Sequence, residues 1–147
     1  ALVVVLSAIS NHDNMGSIFR NAAAFGVNAV ILDQQCCDPL YRKSIRVSVG
    51  GVLKVPFAKA VDLESLCSAF SENGYALAAL SPQGEFTVDS LPRKGKRALI
   101  LGAEGTGLPE KILRTLPTYR ISMSVAFDSL NVATASGIAL YHASALR

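Results

Sequence analysis

Three segments of the chain hold residue types able to do chemistry: Asn14-Met15-Gly16-Ser17-Ile18-Phe19-Arg20, Gly102-Ala103-Glu104-Gly105-Thr106-Gly107, and Ser129-Leu130-Asn131. The glycine-rich segment first suggests a phosphate loop, but both common forms fail. A P-loop needs a lysine after its last glycine, whereas Leu108 and Pro109 follow Gly107. A dinucleotide fingerprint started at Gly105 has Glu110 at its third glycine position, and the Glu104 carboxylate would repel phosphate. Three glycines remove the side chains that keep a ligand off the backbone, so the loop suits a flat, largely neutral molecule. The same glycines serve equally well in a tight strand-to-helix turn that binds nothing.

In the first segment a helix beginning near Gly16 or Ser17 puts Asn14 at its mouth, beside free backbone N–H groups, and Arg20 about one turn in. Asn14 as an N-cap and Arg20 as a surface cation are the plain readings, although Arg20 stands as a lone charge among Ala, Phe and Ile. Ser129 and Asn131 lie where a helix begins, and capping alone accounts for both. Ser129 lacks support as a nucleophile: the only histidines are His12 and His142, and no G-x-S-x-G elbow is present. A hydrolase is therefore not expected.

The elements that must position these residues alternate between strand and helix. Leu2 to Leu6 is a continuous apolar run of the kind buried on both faces of a sheet. The pattern predicts a helix from about Ser17 to Gly26, a strand Val27 to Leu32, a short helix Pro39 to Val47 and a strand Val52 to Phe57. It continues with a helix from Asp62 to Glu72 closed by Asn73-Gly74, a strand Tyr75 to Leu80 and a strand Ala98 to Leu101. A helix entered through Pro109, a short strand Tyr119 to Met123 and a last helix Asn131 to Arg147 complete it. This order predicts one α/β domain with a mainly parallel sheet covered by helices on both faces. Ligands of such sheets bind beyond the carboxyl ends of the strands, where all three segments fall.

The chain has 147 residues, half of them apolar and 17% charged, which fits one globular domain and excludes a disordered tail. Its 14 basic and 11 acidic residues leave only +3, compatible with a polyanionic partner without naming one. Three cysteines, two adjacent at Cys36 and Cys37, form no metal-binding spacing and no disulfide framework, which points to a reducing, cytoplasmic setting and no metal. The apolar opening is too short to span a membrane. The chain starts without Met and directly in a strand-like run, so any second domain is expected upstream.

Taken together, Asn14-x-Gly16-x-x-x-Arg20, Leu101-Gly102-Ala103-Glu104-Gly105-x-Gly107-Leu108, and Ile121-x-Met123 followed by Ser129-Leu130-Asn131-Val132 resemble three motifs of the SpoU (TrmH-type) RNA ribose 2'-O-methyltransferases of the SPOUT superfamily. Arg46-Val47-Ser48-Val49-Gly50 is similar to a further stretch of that family, and the likeness covers essentially the whole chain. The resemblance implies a methyltransferase domain over residues 1–147 with a C-terminal deep trefoil knot, S-adenosylmethionine as cofactor, ribosomal or transfer RNA as substrate, and a homodimer. It further implies that Arg20 and Asn14 are catalytic with Glu104, Ser129 and Asn131 as orienting partners. Leu101, Gly102, Gly107, Ile121, Met123 and Leu130 would hold the cofactor. Arg20, Arg42, Lys43, Arg46 and Ser48 would meet RNA, with Arg93, Lys94, Lys96 and Arg97 a second basic run. A guanidinium keeps its proton over the ordinary pH range, so clamping a phosphate is the safer physical role for Arg20. The competing implication is a non-catalytic knotted protein that binds RNA or serves as a scaffold.

Overall fold

The computed structural model describes residues 1–60, 62–103, 107–124, 127 and 130–146. Seven strands, β1 (Leu2–Ser7), β2 (Ala29–Leu32), β3 (Phe57–Lys59), β4 (Ala76–Leu80), β5 (Phe86–Thr87), β6 (Arg97–Gly102) and β7 (Thr118–Arg120), form one sheet in the order β3-β2-β1-β6-β4-β7-β5. Every pairing is parallel. The central pair, β1 and β6, is in register from Leu2 against Arg97 to Ser7 against Gly102. Among the described residues five α-helices cover the sheet: α1 (His12–Ala24), α2 (Arg42–Val47), α3 (Leu63–Glu72), α4 (Glu110–Thr115) and α5 (Val132–Ala143).

Both faces are covered, and β1 shows why its sequence is apolar throughout. Leu2, Val4 and Leu6 enter a core with Met15, Ile18 and Phe19 of α1 and Ala139 and Leu140 of α5. Val3 and Val5 enter a second core with Leu63 and Cys67 of α3 and Ile112 of α4. Side chains alternate between faces along a strand, so a strand buried on both sides reads as an unbroken hydrophobic run.

The structure corrects several predicted boundaries. Helix α1 begins five residues before Ser17, because Asn11 is the cap: its Oδ1 accepts from the Asn14 backbone N–H at 3.0 Å. Val52 to Phe57 is not a strand. Gly51–Leu53 forms a 3-10 turn whose backbone packs directly on α1, where a Cβ at Gly51 would lie 2.8 Å from the Phe19 carbonyl oxygen. Val52 and Val55 are nevertheless buried, and β3 starts only after Pro56. Strand β7 is shorter than predicted, and the two-residue β5 beside it has no periodicity to read. Asn131 lies just outside α5 as its cap, and Pro109 likewise precedes α4. Arg97, counted in the second basic run, is only 7% exposed. Its Nε and Nη2 donate to the Ala143 carbonyl, tying the end of α5 to the start of β6, and burial lowers its pKa.

Candidate functional site

Strands β4, β6 and β7 end side by side, and their carboxyl ends open on a cavity of about 680 Å³. Such a crevice is the expected ligand position in a parallel sheet. All six residues assigned to the cofactor line it: Leu101, Gly102, Gly107, Ile121, Met123 and Leu130. Leu80 and Tyr119 add apolar wall, Ser81 and Gln83 add polar atoms, and no described lining residue is charged. The described ends of the loop meet: the Gly107 N–H donates to the Ala103 carbonyl at 2.9 Å, and Gly107 has a positive φ of 66°. A Cβ at Gly102 would come within 2.7 Å of the Gly107 carbonyl carbon and the Leu108 nitrogen, so only glycine fits where the loop folds back. A hollow of about 700 Å³ near Leu91, Arg93 and Ala145 sits on the segment leading into β6, away from the strands' carboxyl ends.

Asn131 joins this cavity to α1. Its Oδ1 caps α5 by accepting from the Ala133 and Thr134 N–H groups at 2.9 and 3.3 Å, and its Nδ2 donates to Asn14 Oδ1 at 3.0 Å. Asn14 is therefore not the cap of α1; it faces α5 from that helix's first turn. Seven residues on, and so on the same helix face, Asn21 Nδ2 donates to the Ala133 carbonyl at 2.9 Å and to Ser136 Oγ at 3.0 Å. Sequence reasoning missed Asn21. The available signal was an amide within an Ala- and Phe-rich helix, opposite a helix rich in small residues, of which Gly137 leaves room for it. Gly16 serves packing: a Cβ there would lie 2.6 Å from the Ser44 carbonyl oxygen, so α1 and α2 approach backbone to backbone.

Arg20 is exposed and does not line the cavity. Its Cα lies against Gly51, on the part of α1 that carries the 3-10 turn, and its side chain makes no hydrogen bond or ion pair with any described residue. Glu104 and Ser129 lie outside the described residues. Arg42, Lys43 and Arg46 are exposed on α2, with Lys43 Nζ 3.3 Å from Asp13 Oδ2. Ser48 does not belong with them. It is 1% exposed, its Oγ donates to the Ile45 carbonyl at 2.7 Å and accepts from the Val52 N–H at 3.2 Å, so it fastens α2 to the following turn.

Burial pushes Cys36 up to about 12, with the Asp33 charge adding to the effect, and burial also raises Cys37 and Cys67. Among the described residues no group of three His, Cys, Asp or Glu side chains comes together, and no helix is long and apolar enough to cross a membrane.

A family model described as the SpoU rRNA methylase family matches residues 1–141. A protein of Mycobacterium tuberculosis named an uncharacterised tRNA/rRNA methyltransferase is 44% identical over 146 residues, 95% of this chain and 50% of that protein. The chain thus spans about half the length of the curated relatives it matches. A solved AdoMet-bound rRNA methyltransferase of Sinorhizobium meliloti is similar at a TM-score of 0.88 and 30% identity, over 97% of this chain and 55% of that one. An RNA 2'-O ribose methyltransferase structure is similar at a TM-score of 0.86 and 28% identity, over 97% and 55% respectively.

Proposed function

The chain belongs to the SpoU rRNA methylase family, and on that premise we propose that it is an RNA methyltransferase core, acting on a ribose 2'-hydroxyl of ribosomal or transfer RNA with S-adenosylmethionine as methyl donor. The observation that carries this reading is convergence: Leu101, Gly102, Gly107, Ile121, Met123 and Leu130, drawn from three separate segments of the chain, line one cavity, and Asn131 links its rim to Asn14. The cavity also suits the cofactor chemically. Its described lining offers apolar surface and a few polar atoms, with no cation to hold a phosphate. The names of the Sinorhizobium and ribose methyltransferase structures are consistent with this donor and this acceptor.

Bound S-adenosylmethionine would supply an electrophilic methyl group. The chain's own task is then to align a weakly acidic hydroxyl for attack on that methyl, the hydroxyl proton passing to water as the O–CH3 bond forms and the S–CH3 bond breaks. Leu101, Ile121 and Leu130 would hold the adenine of the cofactor against apolar wall. Asn131, held by its two cap bonds and by Asn14, fixes the rim. Arg20, exposed on α1, against which α2 with its exposed Arg42, Lys43 and Arg46 packs, clamps the phosphate next to the target ribose by a bidentate pair. Glu104 and Ser129 are assigned orienting roles through the family motifs. Residues 1–147 are the catalytic domain, working as a homodimer.

Labelled methyl transfer to bulk RNA tests this, with cofactor affinity measured separately. Arg20→Lys should lose most transfer and keep cofactor binding, because an ammonium cannot reproduce the bidentate fork. Full activity in that variant would remove Arg20 from its role. Cofactor binding by the unaltered chain with no transfer to any RNA would instead favour a non-catalytic scaffold.

A further inference from the structure

Next to the proposed phosphate-binding cations lies an aromatic pair with no part in the reaction described above. His12, the first residue of α1, and Tyr41, the residue before α2, hold their rings 4.3 Å apart at an interplanar angle of 32°. Tyr41 is 57% exposed, so its ring is backed by imidazole and still widely open to solvent. The pair stands on packed helices rather than on a free loop. Ser44 Oγ donates to the His12 carbonyl at 3.2 Å, the Ile45 N–H donates to the Tyr41 carbonyl at 3.0 Å, and Gly16 brings α1 against α2.

A single exposed tyrosine is ordinary on a protein surface. What distinguishes Tyr41 is its setting. Arg42, Lys43 and Arg46 follow it directly and are exposed, and Arg20 is exposed further along α1, eight residues or about 12 Å of helix from His12. Two carboxylates are nearby, and both are engaged: Asp13 with Lys43 at 3.3 Å, and Asp38 through Oδ1 with the Leu40 N–H at 2.9 Å. A rigid aromatic ring interleaved with cations is the surface that binds unpaired nucleic acid, because every base offers a face to stack on while the cations follow the phosphates. In a continuous RNA duplex the base faces are already stacked and the major groove is too narrow for side chains.

We propose that Tyr41, backed by His12, is a stacking step for an unpaired base, so that this face takes single-stranded or looped RNA in preference to a continuous duplex. The proposal rests on the reading that the chain acts on RNA, and it adds the structural class of that RNA.

The test is fluorescence anisotropy with a labelled mixed-sequence single-stranded RNA and with the same strand annealed to its complement, each over a series of salt concentrations. Tyr41→Ala should weaken single-strand binding about tenfold, the effect of one base stack, and leave duplex binding unchanged. Tyr41→Phe should bind within about twofold of the unaltered chain, as the ring is kept. Tyr41→Leu, which keeps bulk without an aromatic face, should behave like Tyr41→Ala and serves if the alanine variant does not fold. The salt slope should be unchanged in the Tyr41 variants and should fall by about one in Arg46→Ala. Unchanged single-strand affinity in Tyr41→Ala and Tyr41→Leu, or equal losses on single strand and duplex, would overturn the proposal. So would a drop in oligomer mass by light scattering with RNA affinity intact, since Tyr41 would then face a second copy. Binding that depends on Tyr41 without any methyl transfer would leave the stacking step standing and refute the proposed reaction instead.

Discussion

Removing the Asn21 amide should unlock α1 from α5 by an amount that the geometry sets. Asn21 Nδ2 donates to the Ala133 carbonyl at 2.9 Å and to Ser136 Oγ at 3.0 Å, and Ser136 is fully buried. Each such bond has a net value of about 0.5–1.5 kcal/mol, so Asn21→Ala should cost about 1–3 kcal/mol. For a chain of this length that lowers Tm by about 3–10 °C. The sharper test is a double-mutant cycle with Ser136→Ala. Both single variants remove the Asn21–Ser136 bond, so the double variant should lose about 1 kcal/mol less than the sum of the two. Urea unfolding followed by far-ultraviolet circular dichroism, at one fixed protein concentration, measures all four proteins. Losses that simply add, within about 0.3 kcal/mol, would show that the amide and the hydroxyl do not interact in solution, and the α1–α5 lock would fall with them.

Further perturbations probe the loop, the thiols and a helix cap. Gly102→Ala would bring a Cβ to 2.7 Å from the backbone of Gly107 and Leu108, so the loop must shift at about 1–3 kcal/mol, and S-adenosylhomocysteine affinity by calorimetry should fall sharply. Cys36 holds its proton to about 12 in the folded chain, against an ordinary 9.0 when unfolded. Its contribution is therefore complete below about pH 9 and is lost as pH rises toward 12; Cys36→Ala should flatten that part of a stability–pH curve. Asp62 caps α3 through Ser65, whose hydroxyl and N–H hold its carboxyl below the ordinary 3.8. That stabilisation is present above pH 3.8 and disappears as pH falls through the lower folded value, so Asp62→Ala should narrow the stability difference between neutral and acid solution.

What could be read from the sequence was what local chemistry determines. The ends of α3 are written in Asp62 and Asn73-Gly74, whose side chain and backbone act within a few residues, and those limits stand. The double burial of β1 follows from its unbroken apolar run. The start of α1 was missed because Asn11 to Asn14 is as consistent with a loop as with one solvent-facing helical turn. Val52 and Val55 suggested a strand because burial, which they do have, is not specific to strands. Asn21 was missed and Ser48 was grouped with the RNA cations for one reason: a side chain's partner decides its role. For Asn21 that partner lies 112 residues away at Ala133. The glycine-rich loop remained ambiguous by itself. It took on a ligand only through the family motifs, and the cavity then brought those motif residues to one place.

The most direct measurement is a titration of the isotope-labelled chain with S-adenosylmethionine, followed by backbone amide NMR. Saturable shifts concentrated at Gly102, Ile121, Met123 and Leu130, around the cavity at the ends of β4, β6 and β7, are the expected result. No saturable shifts, or shifts centred instead on Leu91, Arg93 and Ala145 at the opposite hollow, would contradict the assignment of this cavity to the cofactor.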